Sequence, residues 1–229
     1  MLLPLLPLRA ATLAFTGWIA AVPGPSGDSA RLEIQAASTL EATAPVSVEL
    51  YDVNHDESAT ITINRDGSVD PRTAKVVKRL LRCKRTDRSR KISRKTLAMF
   101  ANVAATWSGH TIEIVSGYRA MRSESRTSPH RGARAIDFRV RGVSTRLVRD
   151  YMWREFRTVG VGWYPEGNYV HLDARPGLND TAWTFANGKN RYHPSWAERI
   201  RPAYVEPVRK PKHKRHKKKP QRRYHGAGV

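Results

Sequence analysis

The sequence predicts an α+β domain in which a small, mainly antiparallel sheet is flanked by helices. Three observations point there. Apolar residues alternate with period two over Val46–Val53 and Ala59–Ile63, and again over Tyr169–Asp173. Apolar stripes with helical spacing follow the capping residues Asp70, Ser93 and Ser144. These helical stretches gather before and after the strands, the pattern of an α+β architecture.

Taken in order, Met1–Val22 is almost wholly apolar, broken by two prolines and Arg9. Its 13-residue core, Ala10–Val22, suits the hydrophobic region of a signal peptide and is too short for a full membrane span. Residues 1–24 are expected to be a signal peptide or an uncleaved membrane anchor, so the chain is expected to be exported to the periplasm or cell envelope; a buried helix is the plain alternative. Residues 25–45 are rich in Pro, Gly, Ser and Ala and read as a linker with at most one short strand near Arg31–Gln35. The folded domain is expected over 46–208.

Within it, the short gap Asn54–Ser58 suits a hairpin, and Arg65-Asp66-Gly67 is turn chemistry. Asp70 caps a helix with Pro71 in its first turn, where a missing N–H costs nothing; the helix is expected to run to about Arg82. Ser93 opens a second helix carrying Leu97, Phe100, Val103 and Ala104 on one face. Thr111–Val115 is a short strand. Gly142-Val143-Ser144 opens a third helix, with Leu147, Val148, Tyr151, Met152 and Phe156 as its apolar stripe. Val159–Pro165 is a glycine-containing strand, and Glu166-Gly167 turns it into Asn168–Ala174. Beyond Asp173 the chain reads as irregular, packed back by Trp183, Trp196 and Tyr204.

Composition narrows the function. With 229 residues, 40% of them hydrophobic, the chain can build one real core, which excludes global disorder. The formal charge is +21, and Arg209–Arg223 alone holds ten Lys or Arg and no acid. Residues 209–229 are expected to be a disordered basic tail. Such charge attracts polyanions: nucleic acid, anionic lipid or an acidic wall polymer. The single cysteine, Cys83, excludes an intramolecular disulfide and a cysteine-based zinc finger.

The chemistry concentrates between Ser116 and Asp173. His130 precedes Asp137 by seven positions with Gly132 between them, and Asp137 lies on a strand-like alternation among small and apolar residues. A carboxylate there needs a partner, either a metal or one of the many arginines. His171 and Asp173 point to one face of their strand; they are a surface pair or part of a site. Two histidines and a carboxylate suffice to hold a catalytic zinc with one position left for water. Arg119, at a strand end, suits a substrate carboxylate or a developing oxyanion.

Ser116-Gly117-Tyr118-Arg119, the run Ser128-Pro129-His130 through Gly132, Ala135 and Asp137-Phe138, Val161-Gly162 with Tyr164-Pro165, and Val170-His171-Leu172-Asp173 together resemble the D-Ala-D-Ala carboxypeptidase and murein endopeptidase family. These zinc peptidases share a fold with hedgehog and lysostaphin, and the nearest branch resembles the YcbK-like exported murein D,D-endopeptidases. The similarity spans roughly Val46–Trp183. It implies a hedgehog/DD-peptidase-like fold and a Zn²⁺ ion bound by His130, Asp137 and His171. It implies catalytic roles for Arg119 and for Asp173, the latter steering a ligand histidine. Tyr118, Ser128, Tyr164 and Asn168 are implied as substrate contacts. The implied activity is hydrolysis of peptidoglycan stem peptides or cross-links by a D,D-endopeptidase or carboxypeptidase, in a bond following D-Ala; the alternative is a non-catalytic, zinc-containing wall-binding module of the same fold.

Two departures stand out. The segment from Arg119 to His130 is short for the family, and Asn168 stands where dipeptidase relatives carry an acidic base. Glu166, Asp173 and the zinc-bound hydroxide itself remain as alternatives for that role. With an exported domain in front, the tail is expected to meet anionic envelope polymers or lipid rather than a specific nucleic acid.

Overall fold

The computed structural model describes residues 43–177 and 179–201; the expected leader 1–24, nearly all of the linker 25–45, Tyr204 and the tail 209–229 lie outside the described residues. These described residues contain eight strands: β1 Val46–Asp52, β2 Glu57–Ile63, β3 Ile112–Ser116, β4 Ala135–Val140, β5 Val159–Tyr164, β6 Tyr169–Ala174, β7 Thr181–Ala186 and β8 Lys189–Tyr192. They also contain four helices: α1 Pro71–Leu80, α2 Arg94–Thr106, α3 Thr145–Glu155 and α4 Ser195–Ile200. No helix among them is long and apolar enough to cross a membrane.

All eight strands join one sheet in the order β2-β1-β3-β4-β6-β5-β7-β8. The α+β class holds, but the sheet is mixed and larger than the sequence suggests. β1 pairs with β3, and β5 with β7, in parallel; the other five pairings are antiparallel. The reason for the difference is physical: period-two alternation reports which face is buried and says nothing of a neighbour's direction. A parallel pair needs a long crossover. The hairpin strand β2 with α1 and α2 supplies it between β1 and β3.

One further expectation is corrected. Beyond Asp173 the chain is not irregular but forms the hairpin β7–β8 and the short α4. Asn187 and Gly188 both take positive φ (53° and 72°), the backbone that lets a two-residue turn follow the twist of its strands. Within the apolar stripe of α3, Val148 and Met152 fill the core side and Leu147 is 60% exposed.

Local chemistry explains the helices. Asp70 accepts from the backbone N–H of Arg72 (2.8 Å) and Thr73 (3.1 Å), and Pro71 follows, so α1 starts where expected; it ends at Leu80, two residues early. Helices α2 and α3 both touch β6, and Phe100 of α2 meets Phe138 of β4 edge to face at 5.2 Å. Trp153 of α3 donates to the Ala197 carbonyl (3.0 Å), which ties α4 to the same layer. Val170 and Leu172 of β6 are fully buried in this core. The intervening positions of β6, His171 and Asp173, therefore face the other side of the sheet.

Candidate metal centre

A line of paired residues runs across that other side. Ser116 on β3 stands opposite Asp137 on β4, Asp137 opposite His171 on β6, His171 opposite Gly162 on β5, and Gly162 beside Trp183 on β7. One rung away, Asp173 stands between Ala135 and Gly160. His130 enters from the turn before β4. Its carbonyl accepts from the backbone N–H groups of Arg119 (3.3 Å) and Ala133 (3.1 Å), and Ala133 itself takes a positive φ of 51°.

The structure brings His130, Asp137 and His171 together, all buried. Their tautomers follow from their partners. His130 Nδ1 lies 2.7 Å from the Gly117 carbonyl, an acceptor only, so that nitrogen carries the hydrogen. His171 Nε2 lies 3.0 Å from Asp173 Oδ2 and carries a hydrogen for the same reason. The remaining nitrogens, His130 Nε2 and His171 Nδ1, are then lone pairs 3.1 Å apart. Asp137 Oδ1 stands 3.2 Å from the first and 2.7 Å from the second.

Three electron-rich atoms facing one another in a dry pocket repel unless a cation sits among them. Their separations are close to the edges, about 3.3 Å, of a tetrahedral shell with bonds of 2.0–2.1 Å. The residues present therefore fit a divalent metal. Without one, a proton takes its place: burial pulls the His171 imidazole down, but Asp137 and Asp173 outweigh it and lift the group to about 9. Burial likewise raises the Asp137 carboxyl, yet His130 and His171 hold it well below the usual carboxylate range.

The surroundings fix these ligands. Arg119 donates from Nη2 to Asp137 Oδ2 (2.5 Å) and from Nε to Ser116 Oγ (2.9 Å), which leaves Oδ1 of Asp137 for the centre. The Arg119 side chain is 32% exposed, the most open group touching the cluster. Asp173 is fully buried between His171 and Arg175; Arg175 Nε is 3.0 Å from Oδ1, a charge contact without hydrogen-bond alignment. Trp183 lies against His171 with ring centres 4.9 Å apart and donates to the Tyr164 hydroxyl (3.2 Å).

The residues expected as substrate contacts make no hydrogen bond to the three clustered side chains. Tyr164 reaches the cluster only through Trp183 and stacks on Tyr169 at 4.5 Å. Tyr118 packs against the core, and its N–H bonds to the Leu81 carbonyl. Ser128 works through its backbone, holding the turn by bonds with Ser125 and Gly132. Asn168 is exposed in the β5–β6 turn with φ of 49°, and exposed Glu166 accepts from the Asn187 N–H.

Sequence reasoning missed the two glycines that make room for the site. A Cβ on Gly160 would lie 2.0 Å from Asp173 Oδ2, and one on Gly162 would lie 2.6 Å from the Trp183 ring. The signal was the alternation Val159-Gly160-Val161-Gly162, in which one face of a strand has no side chains at all. The Gly117 carbonyl, Trp183 and Arg175 left no comparable trace.

Residues 40–178 match the family model described as peptidoglycan L,D-endopeptidase MepK. A relative from Haemophilus influenzae, the probable peptidoglycan L,D-endopeptidase MepK, is 30% identical over 118 residues, covering 46% of this chain and 63% of the relative. The peptidoglycan L,D-endopeptidase MepK of Escherichia coli is 31% identical over 75 residues, covering 28% of this chain and 41% of that protein. The chain thus spans less than two thirds of the length of these curated relatives. No solved structure matches it.

Proposed function

This chain belongs to the peptidoglycan L,D-endopeptidase MepK family, and from that premise we propose that it is an exported, zinc-dependent peptidase that hydrolyses peptide bonds in peptidoglycan. The observation that carries the reading is the convergence of two imidazole lone pairs and one carboxylate oxygen within about the span of one coordination shell. The relatives' names specify an L,D bond, and we take that bond as the target here, in place of the D,D bond implied by the motif resemblance. The expected hedgehog/DD-peptidase-like fold belongs to the same reading.

His130, Asp137 and His171 would hold the ion, which supplies Lewis acidity and a water of lowered pKa when bound. The chain's own contributions are orientation and charge. The Gly117 carbonyl and Asp173 each take the outer hydrogen of a histidine, fixing the ring and raising its basicity. Arg119 anchors the spare oxygen of Asp137, and its exposed edge is the cation available to a substrate carboxylate or to the oxygen on which charge develops. Trp183 and the Tyr164–Tyr169 stack shield one flank from water.

Proton transfer needs a carboxylate with access to the cleft. Asp173 is sealed behind His171, and Glu166 faces the β7–β8 turn. Glu124, 15% exposed and 3.9 Å from Arg119, is the carboxylate best placed to accept a proton at the mouth. The leader segment 1–24 delivers the protein to the envelope in this account, and the tail 209–229 holds it against anionic polymers or lipid there.

Digestion of cross-linked muropeptides with mass readout tests the proposal. Wild-type protein yields the two halves of an L,D scission; chelator or His171→Ala stops it. Absence of product from zinc-loaded protein that still binds muropeptide contradicts the peptidase and favours a wall-binding module.

A further inference from the structure

The face of the sheet that carries the metal centre continues beyond it as a row of aromatic rings. Trp183 on β7 lies against His171, and Tyr192, opposite Trp183 on β8, packs on it with ring centres 6.3 Å apart. One rung away, Tyr164 on β5 is stacked on Tyr169 of β6 at 4.5 Å and on Phe185 of β7 at 5.3 Å. The row is covered at the metal end and open at the sheet edge: Trp183 is 6% exposed and Tyr192 is 56% exposed. Tyr192 is the one Phe, Tyr or Trp among the described residues that is exposed. Trp183, Phe185 and Tyr192 all lie beyond the span 40–178 that matches the family model.

Strand pairing sorts the charges. Trp183 stands opposite Tyr192 and Phe185 opposite Asn190, so these four share the metal-centre face, whereas Lys189 and Arg191 fall on the other. The outer end of the row therefore offers aromatic carbon and a neutral amide. The cation Arg119 stands at the opposite end of the cluster, bonded to Ser116 on β3 and Asp137 on β4. One face thus has two ends of different chemistry. The Arg119 end suits a peptide with free carboxylates. The ring end suits a neutral group with a flat C–H surface and an amide, which describes an acetamido sugar.

We propose that the ring end holds the glycan of the substrate: an N-acetylated sugar lays the C–H face of its pyranose ring on Tyr192, and the stem peptide attached to it runs along the row to the metal centre. The inference rests on the reading of the chain as a peptidoglycan peptidase and adds to it where the sugar goes. The reach agrees. β8 is three strand spacings from β6, about 14 Å. A stem of three or four extended residues spans about 10–14 Å. Asn190, exposed on the same face, supplies an amide to the acetamido group.

Two measurements test this. In the first, the full-length protein is titrated with the tetramer of N-acetylglucosamine, a probe without a stem peptide, and followed by calorimetry and tryptophan fluorescence. Binding should be saturable. Tyr192→Ala should weaken it about threefold to tenfold, the scale of one ring contact. Tyr192→Phe, which keeps the ring, should bind as the wild type does, and Leu147→Ala, on the helix layer, should change nothing. In the second, cross-linked muropeptides are digested beside the same peptides stripped of sugar by an amidase. The sugar-bearing substrate should show a kcat/KM about threefold to tenfold higher, and Tyr192→Ala should erase that difference. Hydrolysis of both substrates at equal rates, no saturable binding of the tetramer, or binding that survives Tyr192→Ala each overturn the proposal and leave the peptidase in place. Saturable binding that Tyr192→Ala weakens, with neither substrate hydrolysed, overturns the peptidase and leaves the sugar site in place.

Discussion

The two faces of β6 make the most instructive contrast in the molecule. Val170 and Leu172 on one face and His171 and Asp173 on the other are all buried to 4% exposure or less. On the helix-covered face burial is sufficient in itself: apolar side chains lose water and gain neighbours. On the opposite face the same burial is a liability, since it strips water from two imidazoles and two carboxylates. That face is stable because the outer atoms of His130, Asp137 and His171 are each hydrogen-bonded and the inner three can share a cation. Equal burial therefore means packing on one side and chemistry on the other.

Substitutions one residue apart should separate these meanings. His171→Ala should abolish metal binding and drop hydrolysis to background while the chain still folds, as read by metal analysis and circular dichroism. Leu172→Ala should do the reverse, costing about 2–5 kcal/mol of stability in denaturant titration with metal stoichiometry unchanged. If His171→Ala unfolds the protein instead, the polar face is structural and the contrast fails.

Gly160→Ala sharpens the comparison from the opposite strand. Its new methyl would press on Asp173 and Arg175, and displacing Asp173 from His171 should weaken metal binding by about 10–100-fold, measured by competition with a chelating dye. An unchanged affinity would mean Asp173 does not position the ligand.

pH should distinguish the metal-free from the metal-bound state. In the metal-free protein the His171 pKa is raised from its ordinary 6.5 to about 9. The folded state then binds this proton more tightly than the unfolded one. Its stabilising effect is complete below pH 6.5 and is lost as the pH rises through 9. Melting temperatures of chelated protein should fall across that window, and metal affinity should rise across it as the proton is displaced. The smallest effect belongs to Leu147→Ala, where an exposed side chain on the helix layer should cost no more than about 0.5 kcal/mol in the same titration.

Much of this contrast could be read from the chain. Alternation on β6 separates Val170 and Leu172 from His171 and Asp173, and the motif resemblance groups His130 and Asp137 with them. The register that sets Asp137 directly opposite His171 could not be read, because it depends on long-range pairing between strands 34 residues apart. The Asn187-Gly188 turn was present as a signal, but β8 has no buried residue and so no alternation to reveal it. Arg149 reads as an ordinary helix charge; only the fold shows it enclosed by two tryptophans from distant elements. At Tyr118 and Asn168 the motif position is legible in the sequence, but the direction the backbone gives the residue, toward the core or toward solvent, is read only from the fold.

Zinc content of the purified chain, measured by atomic spectroscopy after dialysis against a weak chelator, tests the central claim most directly. One ion per chain is expected for the wild type, with none retained by His130→Ala, Asp137→Ala or His171→Ala. A folded wild-type chain that takes up no zinc, or one whose zinc survives all three substitutions, would contradict it.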